Sequence, residues 1–328
     1  MWTWKKMCSF LALISVLIVI HSNGFTADSY SIDVNCTLKP GGSEEAAIKK
    51  FKEIVEKESG GRIKVKMFLS GQLGTDPGVT ELLKIGQTHM QLSGGTFGAK
   101  YIPEYDAFSI PFYIPTWECI KAYLEGPMGK KMQEQLIAKA GVVYFVPQKR
   151  GVRQITSNRR VIEPDDFKGL KMRVPEGRVW IEIFRELGTH TVVVPGPETY
   201  LALKTGQAEA QENSLVGPYT RKYYEIQKYI IMTNHMIWPY HWLASKVWFD
   251  KLSPEDQKLI RQAVGIAAEE GNKVEDQMDD FYLKELQKKG MEIVKPNVKA
   301  IREKAMPAVK RIVSNLASGV DEAVAACK

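Results

Sequence analysis

The chain is predicted to adopt an α/β fold built as two similar lobes, on three observations. Amphipathic helices alternate with short strands from residue 31 onward. A short helix that stops at a glycine and feeds a strand occurs twice with matching residues. Two arginines stand in extended, turn-bounded segments, Gly151-Val-Arg153-Gln-Ile-Thr-Ser-Asn158 and Gly169-Leu-Lys-Met-Arg173-Val-Pro175, followed by Gln211-Glu212-Asn213. Strand-borne guanidiniums with an amide nearby suit a carboxylate, because the planar, permanently charged fork of arginine matches two carboxylate oxygens.

The elements follow in order. Residues 1–27 read as a secretory signal: Lys5 and Lys6 give the positive start, residues 10–20 the apolar stretch, and Ser22-Asn-Gly24 or Phe25-Thr-Ala27 a small-residue cleavage site. The apolar stretch is well short of the ~20 residues that span a bilayer, so the mature chain is expected to be exported to the periplasm. Cys8 leaves with the signal. Cys36, Cys119 and Cys327 have no metal-ligand spacing and allow at most one bridge. Neither a metal nor a cofactor is expected. The formal charge of +7 falls to +5 without Lys5 and Lys6, and the lysines alternate with glutamates along helices. That pattern is a solvated face rather than a nucleic-acid surface.

A strand over residues 31–36 leads to a helix from Ser43, with Ala47, Phe51, Ile54 and Val55 on one stripe and Gly60-Gly61 at its end. A strand over 62–68 and the loop Gly71-Gln-Leu-Gly74 then enter a second helix. Next comes the first copy of the echo. Thr80-Glu-Leu-Leu-Lys84-Ile-Gly86-Gln87-Thr-His-Met-Gln91-Leu-Ser93 resembles Thr199-Tyr-Leu-Ala-Leu-Lys204-Thr-Gly206-Gln207-Ala-Glu-Ala-Gln211-Glu-Asn213. Each glycine suits the left-handed residue that stops a helix, and Ser93 and Asn213 fall at corresponding strand ends, where open α/β sheets bind ligands. Ser253-Pro-Glu-Asp256 starts a long polar helix that runs to Gly290, with Gly265 or Gly271 as candidate bends, and two helices are expected over 298–326. No low-complexity linker occurs, so strands rather than a tether are expected to join the lobes.

Five segments in register, Ser70-Gly-Gln-Leu-Gly74, the Arg153 segment, Asp165-Asp-Phe-Lys-Gly169 continuing to Arg173 and Pro175, Glu198-Thr-Tyr-Leu-Ala-Leu-Lys-Thr-Gly206, and Gln211-Glu-Asn213, together resemble the DctP-like substrate-binding proteins of tripartite ATP-independent periplasmic (TRAP) transporters. The resemblance implies a periplasmic binding protein fold of type II-like form: two lobes of mixed sheets covered by helices, with a long helix crossing both. It assigns residues 28–150 and 239–278 to lobe I and 151–238 and 279–328 to lobe II, with the ligand between them. It also implies a monomer that hands an organic acid to membrane subunits driven by an ion gradient.

By position, the resemblance makes Arg173 the principal carboxylate partner, Arg153 a supporting arginine and Asn213 an amide beside them. Asp76 falls where some sugar-acid binders carry an acid, and equally suits a helix start beside Pro77. Ser93, Gly94 and Thr96 match the ligand loop of the first lobe. Sialic acid binders carry an acid in that loop, so Gly94 puts sialic acid in doubt. Glu176 follows Arg173 closely enough to line the cleft or to neutralise Arg178, while Trp238 and Tyr240 sit where the chain crosses back and offer rings to a ligand. His89 and His235 read as structural histidines. Sugar acids such as uronates, other monocarboxylates including aromatic or branched oxo acids, and, with less support, C4-dicarboxylates are all compatible. An extracellular sensor lobe would use the same pocket. No nucleophile motif, metalloprotease motif or phosphate loop supports an enzyme.

Overall fold

The computed structural model describes residues 29–316, except 39, 95–97, 99, 100 and 176, together with Val320 and Val324. The expected leader, Cys8, Cys327, Thr96, Glu176 and most of the last expected helix lie outside the described residues. Cys36 and Cys119 are both buried.

Eleven strands among the described residues form two mixed sheets. β1 (Tyr30–Asn35), β2 (Ile63–Phe68), β3 (Met90–Gly94), β4 (Val142–Gln148) and β10 (Tyr240–Ser245) make the first, in the order β2-β1-β3-β10-β4. β5 (Val152–Ser157), β6 (Lys171–Val174), β7 (His190–Val193), β8 (Ala210–Ser214), β9 (Tyr229–Ile237) and β11 (Glu292–Val294) make the second, in the order β11-β9-β5-β8-β6-β7. β1 runs parallel to β2 and β3, whereas β10 is antiparallel to both of its neighbours. The helices are α1 (Ser43–Glu58), α2 (Asp76–Lys84), α3 (Trp117–Glu125), α4 (Pro127–Ala140), α5 (Arg178–Glu186), α6 (Thr199–Lys204), α7 (Val216–Thr220), α8 (Lys246–Phe249), α9 (Pro254–Lys288) and α10 (Val298–Val313).

The stripe expected on α1 is the buried one: Ala47, Phe51 and Val55 are inaccessible, and Ile54 packs from the edge. The echo falls once in each sheet. α2 stops at Gly86 (φ +76°) and leads into β3; α6 stops at Gly206 (φ +73°) and leads into β8. Only a residue without Cβ adopts these left-handed angles without strain.

The chain crosses from the first sheet to the second at residues 149–151 and returns at 238–239, so two backbone crossings join them. α9 is the third connection. It starts as expected, with Ser253 Oγ accepting the Asp256 N–H (3.1 Å) and Pro254 in the first turn. It then runs 35 residues without interruption through both candidate bend glycines. Gly271 serves a close approach, because a Cβ there would lie 2.5 Å from Gln148 Nε2 of β4. The first part of α9 buries Ile260, Ala263, Val264 and Ala267 with the core under α1, and its last turns bury Tyr282 and Leu286 with Leu215 and Ile230 of the second sheet.

Between these two anchors, one polar face of α9 holds the first crossing. Asn272 Oδ1 accepts the Lys149 N–H (2.7 Å), Glu275 Oε1 that of Gly151 (2.7 Å) and Asp279 Oδ2 that of Val152 (3.2 Å), while Asp276 pairs with the Lys149 ammonium. Spacings of three and four put all four side chains on one helical face. Gly151 fits because it has no side chain: a Cβ would meet Asp279 Oδ1 at 2.5 Å and Glu275 Oε1 at 2.7 Å. Gly151→Ala should therefore lower stability by ~1–3 kcal/mol through displacement of both carboxylates. Urea denaturation checks this, and an unchanged midpoint at unchanged slope removes the clasp as a constraint.

Candidate ligand-binding site

The carboxyl ends of β6 and β8 gather the polar residues of the second sheet. Arg173 pairs with Gln211 across β6 and β8, and Gln154 with Asn213 across β5 and β8. Side chains alternate along a strand, so Arg173, Gln211, Asn213 and Gln154 share one face, and Arg153 and Glu212 take the other. The two arginines stand at the same end of the sheet but in different electrostatic situations.

Arg153 is paired inside the protein. Its guanidinium grips Glu212 through Nε to Oε2 and Nη2 to Oε1 (2.7 Å), and a third bond runs from Nη2 to the Glu212 carbonyl (3.2 Å). His235 Nε2 lies 3.3 Å from Glu212 Oε2, and its Nδ1 lies 2.8 Å from Thr233 Oγ1. Burial pushes the Glu212 carboxyl up, yet Arg153 and the His235 hydrogen bond outweigh it and hold the group well below the usual carboxylate range. Burial pushes His235 down, against the pull of Glu212. Trp238 belongs to this cluster, with the Arg153 guanidinium 5.2 Å from its ring centre and Trp180 tilted against it at 5.4 Å.

Arg173 is as deeply placed, 3% exposed, but forms no ion pair with the described residues; Nε donates to the Val194 carbonyl at 2.9 Å, and neither Nη group has an acceptor among the described residues. Burial pulls its pKa down, partly offset by the field of Glu212. Arginine stays charged regardless. A desolvated cation lacking its counter-ion is completed by an anion from outside. Asn213 stands on the same face with no side-chain hydrogen bond to the described residues, in space left by Gly217, where a Cβ would lie 2.6 Å from Asn213 Nδ2.

On the first sheet, Asp76 is the first residue of α2 and also a fastener. Oδ1 accepts from Thr37 Oγ1 and Gln91 Nε2, each at 3.2 Å, and Oδ2 from the Gly94 N–H at 3.1 Å. Its oxygens thus already hold the end of β3 against α2. Burial raises its pKa despite these bonds. Ser93 is buried and turns its hydroxyl to the Gly94 carbonyl (3.3 Å). Tyr240 stands over Gly94 and accepts a hydrogen bond from Arg150.

Between the sheets lies a cavity of about 340 Å³ lined by residues 37–38 and 40–44, Arg150, Asn213, Val216, Gly217, Thr220, Arg221, Glu275, Met278 and Tyr282. It is within the size range of small-molecule sites, ~300–1,000 Å³. Among the described residues expected from the sequence, Asn213 alone lines it. Arg150, Arg221, Glu44 and Glu275 were not expected. Arg150 precedes Gly151 in a Lys-Arg-Gly crossing and was legible as a charge beside a hinge; Glu275 carries no local signal within a uniformly polar helix.

Glu275 is pushed up to about 7 by burial and then by the nearby Glu44, while the Ser43 hydroxyl bond opposes the shift; Asp279 and Arg150 are its other charged neighbours. A raised carboxyl binds more protons in the folded than in the unfolded state between its ordinary value, 4.5, and about 7. Its protonation therefore supports stability below 4.5, and that support is lost as pH rises through 7. The stability difference between wild type and Glu275→Gln should shift against wild type by roughly 3 kcal/mol at most from pH 5 to 8. Parallel curves in denaturant titrations at the two pH values contradict this. Glu212→Ala, which strands Arg153, should cost ~3–5 kcal/mol; a loss below 1 kcal/mol in the same assay shows the pair to be dispensable.

Residues 35–316 match the family of bacterial extracellular solute-binding proteins, family 7 (DctP). The chain belongs to this family. Among solved members, a TRAP periplasmic solute-binding protein from Ochrobactrum anthropi is 28% identical, with TM-score 0.85 over 91% of this chain and 94% of its own. The sugar acid binding protein DctPAm from Advenella mimigardefordensis, in complex with galactonate, is 32% identical, with TM-score 0.81 over 90% of this chain and 97% of its own. The sialic acid-binding periplasmic protein SiaP of Vibrio cholerae is 27% identical over 304 residues, 90% of this chain and 94% of that protein. The family and these relatives agree with the two-lobed α/β fold and with solute binding as the activity class. No helix among the described residues is long and apolar enough to cross a membrane.

Proposed function

We propose that this family member captures a small organic acid outside the cytoplasm, anchors its carboxylate on Arg173, and delivers it unchanged to the membrane subunits of a TRAP transporter. One observation carries the reading: Arg173 is a buried cation with two Nη groups that no acceptor among the described residues fills. Asn213 beside it supplies an amide for the same group. Arg153 acts behind them, as the neutralised partner of Glu212, and supports the sheet end rather than the ligand. Among relatives, one is named for a sugar acid and solved with galactonate, and another is named for C4-dicarboxylate. A hydroxylated monocarboxylate suits a cavity lined by both charged and neutral hydrogen-bonding groups.

In this reading the lobes divide as residues 28–150 with 239–278 and residues 151–238 with 279–328, and closure bends the crossings at 149–151 and 238–239. The anchoring of α9 in both cores supports that division. A ligand that contacts both lobes only when they are closed drives the motion by its differential affinity.

A thermal-shift screen of organic acids should find a ligand, since a hundredfold excess over Kd stabilises by ~2.7 kcal/mol. Arg173→Ala should then weaken that acid at least about tenfold in calorimetric titration, because a hydrogen bond to a charged group is worth ~1.5–3 kcal/mol. Equal affinities for the two proteins would remove Arg173 from the site.

A further inference from the structure

The lobe I side of the cavity holds a second arginine that the carboxylate anchor does not use. Arg150 lies in the first crossing, where Nη1 donates to the Tyr240 hydroxyl and the guanidinium rests 5.0 Å from the centre of the Tyr240 ring. Its Nε is buried with no partner, and it forms no ion pair with the described residues. Of the five N–H donors of a guanidinium, one is accounted for. Glu44 lines the same cavity, 6% exposed, and its carboxylate receives no hydrogen bond from the described residues.

A donor set and an acceptor set facing one space suit a group that both accepts and donates. A hydroxyl does both. A second carboxylate only accepts, and beside Arg150 would bring its charge toward Glu44 and Glu275; the other arginine of the cavity, Arg221, already donates to the Gly196 carbonyl (2.7 Å). We propose that Arg150, together with Glu44, reads hydroxyl groups on the part of the acid farthest from Arg173, and so makes the protein selective for polyhydroxylated monocarboxylates over dicarboxylates and short acids. This rests on the organic-acid reading above and adds the residue that would decide which acid. Loss of Arg150 removes the donors and leaves Glu44 and Glu275 uncompensated, so the distal part of the ligand loses its partners while the carboxylate keeps Arg173.

The test is calorimetric titration of the mature protein, its Arg150→Gln and Arg150→Lys variants, and Arg173→Ala, with D-galactonate, D-lactate and succinate. Wild type should bind D-galactonate at least about tenfold more tightly than either other acid, as expected when several charged hydrogen bonds are added. Arg150→Gln should lose about tenfold toward D-galactonate while its affinity for D-lactate stays within about threefold, which also reports a folded site. Arg150→Lys, which keeps the charge but not the fork, should fall between. Wild-type affinity for D-galactonate in Arg150→Gln, an equal loss toward D-galactonate and D-lactate in both Arg150 variants, or a wild-type preference for succinate overturns the inference. Failure of the proposed function looks different: wild type binds none of the three acids, or Arg173→Ala binds them as wild type does.

Discussion

The grip of α9 on the first crossing is the constraint on which the rest of the molecule depends. The two sheets are joined by two short crossings, and an apolar cluster that includes Phe108, Tyr144, Trp180 and Phe184 runs between the two halves. Here three backbone N–H groups within residues 149–152 are satisfied by Asn272, Glu275 and Asp279, on a helix whose two ends are buried in different cores. Buried backbone donors that lose their acceptors cost free energy comparable to a broken hydrogen bond. Any displacement of the sheets must therefore keep these bonds or exchange them. The same clasp brings Glu275 and Arg150 to the cavity wall, so the crossing and the cavity share residues.

The second organising fact is the contrast between two arginines one strand apart. Arg153 and Glu212 neutralise each other in the wall, with His235 as a further partner and Trp238 stacked on the guanidinium. That cluster makes the end of β5 and β8 rigid, and its net charge is spent internally. Arg173, on the opposite face, is left without that carboxylate by the same arrangement: Glu212, the acid among the described residues whose field reaches it, is already engaged. Removing a cation from water without pairing it is unfavourable in the empty protein. An anion placed against the guanidinium would relieve that term, which is the physical basis of the proposed anchor.

Much of the fold was legible because it rests on local rules. The apolar stripe of α1, the Ser253 cap, and glycines 86 and 206 that stop paired helices each follow from spacing and from backbone angles that Cβ forbids. The echo of α2–β3 in α6–β8 was visible as residue matches and proved to be one unit in each sheet. Gly265 and Gly271 were misleading as bend signals, because a glycine inside a helix also serves close packing, as Gly271 does against Gln148. The site was legible only in part. Arg173 and Asn213 announced themselves by motif, whereas Arg150, Glu44 and Glu275 come from three distant segments whose meeting no local pattern encodes.

Periodicity, capping residues and turn glycines, read from the chain alone, determined the α/β class, the doubled unit, the long final-third helix and the strand-end arginines. Those features depend on neighbours within a few residues, which the chain carries explicitly. Tertiary structure alone decided which arginine is neutralised and which is left with open donors. That outcome depends on strand register, since a shift of one residue exchanges the faces of Arg153 and Glu212 for those of Gln154 and Asn213. It also depends on desolvation, which is a property of the packed whole and not of any segment.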